Sequence, residues 1–214
     1  MEYHDADFAR AFDILKGHVG GRYGVAVIEY CPRGTETFHG FSDDRIADFE
    51  PSQEAEGGRS IKLRGDIPVE FKLFSLLHLF GHIIQFNQSV HDAKLALSTA
   101  AVKAVGEEQL VAIRDYELRA SRYGAALLLE SGLAAFMHWF TDLWAADWRF
   151  LRDVYVGNIS DVPDQYADIV TLLADRKERY YVETDGTDLL EPLALPDKIV
   201  DSARLDSGAG FRIL

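Results

Sequence analysis

The chain has 214 residues, with 22 Lys and Arg against 35 Asp and Glu, and so a formal charge of −13. A hydrophobic fraction of 48% beside 27% charged residues is ordinary for a globular chain of a length that buries a core without staples, and it excludes disorder over most of the sequence. The acidic balance repels phosphate backbones and anionic lipid, so neither nucleic acid nor a membrane surface is an expected partner, and Cys31, the only cysteine, excludes an intramolecular disulfide framework and multi-cysteine metal clusters.

Residues 5–17 place Phe8, Ala11, Phe12 and Leu15 at helical spacing, and Gly20-Gly21 is expected to stop that helix. The β-branched and aromatic run 23–30 predicts a strand ended by Cys31-Pro32-Arg33-Gly34, with 35–41 as its hairpin partner. Residues 43–58 are acidic, close on Gly57-Gly58 and predict an exposed loop; 60–63 predict a short strand. Three long helices are expected next, over 69–87, 107–130 and 133–156, the third bracketed by Gly132 and Gly157-Asn158. A fourth spans 163–176, with Ser160 or Asp161 as its cap. The reading is an α+β fold: one domain over 1–179, a small antiparallel sheet followed by three to four long helices, and a packing arm or tail over 180–214, in which YYVE offers a strand. The first residues lack a basic and apolar leader and no apolar run reaches ~18 residues, so a cytoplasmic protein without a membrane span is the expectation.

The chemistry concentrates in residues 71–89, FKLFSLLHLFGHIIQFNQS. His78 and His82 are four residues apart, which on a helix sets them one turn apart and about 40° around the axis, a spacing that lets two imidazoles hold one metal ion. Ser75, His78, His82, Gln85 and Ser89 fall on one stripe of an otherwise apolar helix. Buried polar groups left without partners lose about 1–3 kcal/mol each, so the stripe must line a cleft or coordinate something. The alternative is a pair of satisfied core histidines or a solvated face. Gly81 argues against the plain helix interior, where glycine costs about 0.5–1 kcal/mol relative to alanine, and points to close approach of another backbone or a ligand.

LLHLFGH, residues 76–82, resembles the HExxH active-site helix of zincin metallopeptidases, in particular the HELGH or HEIGH form of the ImmA/IrrE family. In that family a strand precedes the helix, and a second long helix carries a third ligand in a motif like E-x-E-A-x-x-F-A-x-x-L-L. Residues 116–128, YELRASRYGAALL, resemble that layout, with Tyr123 for Phe and Gly124 for Ala. The resemblance covers about 59–131 and implies a zincin-like core with His78, His82 and Glu117 as metal ligands. The residues argue independently in the same direction: Glu117, Ala120, Ser121 and Gly124 share a helical face whose small members permit a close helix crossing. The competing reading pairs an exposed Glu117 with Arg114, Arg119 or Arg122.

The departure from the motif falls at Leu79, where HExxH carries the glutamate that activates water. Leucine accepts no proton, so three outcomes stay open: another group supplies the base, the metal serves a different reaction, or the chain is a silent binding or regulatory protein. Candidate replacements are His39, Asp115, Glu130, His138 and Asp142, while Tyr116 and Tyr123 are candidate donors to a developing oxyanion and Gln85 joins them as a candidate catalytic residue. His138 and Asp142 also read as a hydrogen-bonded pair in an aromatic core, and Cys31 reads as structural. The acidic clusters Asp5/Asp7, Asp43-Asp44 and Asp161/Asp164/Asp168 lack calcium-loop spacing and read as solvated surface. The sequence thus predicts a metal-binding protein holding Zn2+, with Fe2+ as the alternative for two His and one carboxylate. It is read as a hydrolase-like metalloenzyme acting on a small molecule or peptide, with a non-hydrolytic tailoring enzyme as alternative, and as able to form a homodimer.

Overall fold

The computed structural model describes residues 3–30, 47–55, 57–89, 91–92, 94, 105–157, 177–178 and 189–201. Its elements are α1 (Asp5–Tyr23), β1 (Ala26–Tyr30), β2 (Ala47–Glu50), β3 (Ser60–Arg64), α2 (Val69–Gln88), α3 (Glu107–Glu130), a 3-10 turn at Ala134–Phe136, and α4 (Met137–Tyr155). The class is α+β, as expected. The hairpin partner at 35–41, the helix at 163–176, the YYVE strand, His39, Cys31 and the acidic clusters at 43–44 and 161–168 lie outside the described residues.

Helix α1 starts where the His4 amide donates to Asp7 Oδ2 at 3.0 Å, and Asp5 and Asp7 set negative charge against the positive helix end. It passes through Gly20-Gly21 instead of stopping there. The stop comes at Gly24, whose φ of 65° lets its amide reach back to Gly20 and that of Val25 to Val19. The apolar spacing explains the extra turn, since Val19 and Tyr23 continue the buried stripe of Phe8, Phe12 and Leu15.

The sheet is mixed, in order β1-β3-β2, and not antiparallel throughout. Central β3 pairs parallel with β1, Ala26 opposite Ser60, and antiparallel with β2, Phe49 opposite Ile61. Strand β2 arises inside the acidic stretch read as a loop, because Phe49 alone among its four residues turns fully into the core. Residue alternation over so short a span is easily outweighed by acidic composition in a sequence reading.

Helix α2 is the hub, packed against α1, α3 and the sheet. Leu73, Leu76, Leu77, Phe80, Ile83 and Ile84 are fully sealed, so the helix is apolar on every side but its polar stripe because it is surrounded. Pro68 opens it with a carbonyl that accepts from Phe71 and Lys72. Gly132, at φ 73°, ends the α3 turn and reverses the chain into α4. The described stretch 189–201 lies against this body: Leu190 and Ile199 are buried, and the Leu190 amide donates to Thr141 Oγ1 at 3.1 Å. No helix among the described residues is long and apolar enough to cross a membrane.

Candidate metal centre

Two glycines let α2 and α3 cross at backbone contact. A Cβ on Gly81 would sit 2.0 Å from the Ala120 carbonyl oxygen, and one on Gly124 2.8 Å from that of Leu77. This is the close approach that Gly81 foreshadowed, and it brings short side chains from the two helices within reach of one another. His78, His82 and Glu117 meet at the crossing, all buried. The reading of Glu117 as an exposed partner of Arg114, Arg119 or Arg122 is therefore set aside. Arg119 forks onto Asp92 at 2.7 and 2.8 Å, and Arg122 reaches Glu191.

Three donor atoms converge. His78 Nε2 lies 3.0 Å from Glu117 Oε2, His82 Nε2 3.1 Å from the same oxygen, and the two Nε2 atoms 3.0 Å from each other. With Zn–N and Zn–O distances near 2.0–2.1 Å, the edge of a tetrahedral ligand face is about 3.3 Å, so this triangle fits one face after opening by about 0.3 Å.

The hydrogen bond behind His82 fixes which of its nitrogens is free. Gln85 Nε2 donates to the Tyr116 carbonyl at 2.8 Å, an oxygen that only accepts, so Gln85 Oε1 is the atom turned to His82 Nδ1 at 3.0 Å. Nδ1 must then carry the proton, and neutral His82 presents a bare Nε2 lone pair to a carboxylate oxygen. His78 Nδ1 is held by Ser121 Oγ at 2.9 Å. A proton between the atoms relieves one edge of such a triangle; a divalent cation relieves all three. Partners of this kind behind metal-ligating histidines orient the ring and select its tautomer.

The surroundings are apolar and aromatic. Phe49 of β2 and Tyr116 of α3 stack on His82, at 5.8 and 4.7 Å between ring centres, and Phe74 stacks on His78 at 5.9 Å. Burial alone pushes the Glu117 carboxyl up, but the His82 and His78 imidazoles in their protonated, metal-free form override it and hold Glu117 well below the usual carboxylate range. Burial, with the charge of Glu117, pushes the phenols of Tyr116 and Tyr155 well above theirs, so both stay protonated.

The other sequence candidates fall at different places. Gln85 holds His82 in place. Tyr116 presents its ring to His82, and the Tyr123 hydroxyl donates to Gln88 Oε1 at 2.8 Å. Asp115 is exposed on α3. Glu130, at the far end of that helix, takes hydrogen bonds from His18 and Tyr23 and pairs with Arg22. His138 is exposed and not part of an aromatic core, whereas Asp142 is buried. Leu79 is sealed in the hydrophobic core.

Two neighbours of the centre, Phe49 and Tyr155, escaped the sequence reading, and Ser121 entered it only as a small residue of the crossing face. Ser121 carried a signal, since it follows Glu117 by four residues on the same helical face. Phe49 and Tyr155 come from distant segments and carried none. The Tyr155 hydroxyl donates to Glu117 Oε1 at 3.4 Å. No protein-family model, curated protein or solved structure matches the chain.

Proposed function

We propose that this chain is a zincin-like metal-dependent enzyme, hydrolase-like in character, with His78, His82 and Glu117 holding one Zn2+. The observation that carries the reading is the triangle of two Nε2 atoms and one carboxylate oxygen with 3.0–3.1 Å edges, in which Gln85 leaves the His82 lone pair facing inward. Two imidazoles and one carboxylate leave coordination positions open, the pattern of catalytic and not structural zinc sites. A metal there supplies Lewis acidity toward a small-molecule or peptide substrate. The chain's own residues orient it: Gln85 and Ser121 hold the imidazoles, and Phe49, Phe74 and Tyr116 keep bulk water from them. The zincin-like and ImmA/IrrE-type assignment rests on the LLHLFGH helix and on Glu117 from a second helix.

Leu79 favours a second reading. It stands where the motif's base belongs and is 2% exposed within the core, so a non-hydrolytic tailoring enzyme or a silent binding protein on the same frame is the competitor. Calorimetric titration of chelator-stripped protein with Zn2+ tests the metal: one equivalent is expected for the wild type and none for His78→Ala/His82→Ala. Chelator-sensitive cleavage of a peptide mixture, by the wild type or by a folded Leu79→Glu variant, supports the hydrolase-like reading. A zinc-loaded, folded and inactive pair supports the competitor.

A further inference from the structure

We propose that Tyr155 is a positioning residue that keeps Glu117 a one-oxygen ligand and so preserves the open coordination positions of the centre. The inference rests on the metal reading above. The two oxygens of Glu117 have different tasks: Oε2 faces both imidazole nitrogens at 3.0 and 3.1 Å, while Oε1 is turned away from them onto the Tyr155 hydroxyl at 3.4 Å. A carboxylate beside a divalent cation takes either one-oxygen or two-oxygen coordination. A donor on the second oxygen biases that choice, because swinging Oε1 onto the metal would break the hydrogen bond and leave a half-buried phenol without it.

The phenol is placed by α4, outside the two helices whose crossing builds the centre. Tyr155 is the last residue of α4, and its carbonyl accepts from the Val105 amide at 2.9 Å, next to Gly106, the residue that caps α3. The end of α4 is thereby tied to the start of the helix that carries Glu117. Ser121 provides the contrast. It bonds His78 Nδ1 at 2.9 Å and lies behind an imidazole, so its loss perturbs the centre without freeing the carboxylate.

Co2+ is the probe, because four-coordinate cobalt absorbs visible light far more strongly than five- or six-coordinate cobalt. Chelator-stripped wild type, Tyr155→Phe and Ser121→Ala are each loaded with one equivalent of Co2+, and Zn2+ affinity is measured by competition with a chromophoric chelator. The expected result is an intense visible band for wild type and Ser121→Ala. Tyr155→Phe is expected to show a band at least about twofold weaker and displaced, with Zn2+ affinity changed by about tenfold, the lower end for outer partners of metal ligands. Tyr155→Phe keeps the ring and so separates the hydroxyl from packing. A Tyr155→Phe spectrum and affinity matching wild type overturns the positioning role while leaving the metal centre standing. A wild type that takes up no Co2+ or Zn2+ overturns both.

Discussion

Each imidazole at the α2–α3 crossing is held from behind, but the two holds differ in strength of instruction. Gln85 can only accept from His82 Nδ1, because its amide nitrogen is committed to the Tyr116 carbonyl, whereas the Ser121 hydroxyl can serve His78 as donor or acceptor. Replacing Gln85 by Leu removes the tautomer control and is expected to weaken Zn2+ binding by about 10–100-fold. Ser121→Ala should weaken it by less. Competition with a chromophoric chelator measures both, and equal losses would contradict the tautomer argument. His78, His82 and Glu117 were legible in the sequence because the i, i+4 spacing and the small-residue face are local patterns. Tyr155 was not, since its relation to Glu117 exists only once α4 has folded back along α3.

At the scale of elements, the site depends on how near two helix axes can come. Gly81→Ala would drive a methyl into the Ala120 carbonyl at 2.0 Å, where only backbone can yield. The helices must separate, with an expected loss of about 3 kcal/mol and of metal binding with it. Gly17, exposed on α1 with nothing within 4 Å of an added Cβ, is the control: Gly17→Ala is expected to stabilise by about 0.5–1 kcal/mol and leave zinc affinity unchanged. Thermal melts with and without Zn2+ check the pair. The three long helices were readable because each keeps its apolar period for five turns or more. The sheet was harder: β2 is four residues in an acidic stretch, and nothing local says that β3 will pair parallel with β1 on one side and antiparallel with β2 on the other. Strands β2 and β3, distant in sequence from one another's partners, both pack on α2, so their pairing is a matter of tertiary context.

Over the whole molecule, stability should depend on metal and on acid in separable ways. Zinc at about 100 times its dissociation constant stabilises by about 2.7 kcal/mol if it binds only the folded chain, which for a chain of this size raises Tm by about 5–10 °C. Chelation should remove that increment. Acid acts through carboxyls at the seams. Burial pushes Glu29 up, but Lys72 and Lys16 together hold it below its ordinary value; the Arg64 hydrogen bond does the same for Asp66. A carboxyl held low in the folded state binds fewer protons there, so its contribution is complete above the unfolded value near pH 4 and is lost as pH falls through that value toward the folded one. Glu29→Gln should therefore lower Tm at pH 7, by an amount that shrinks as pH falls below about 4; a constant difference across that range would show that the ion pairs do not carry it. The most direct test of the central claim is elemental analysis of the protein purified without chelator beside the His78→Ala/His82→Ala variant. The account predicts about one equivalent of zinc in the first and none in the second, while two metal-free proteins would contradict it.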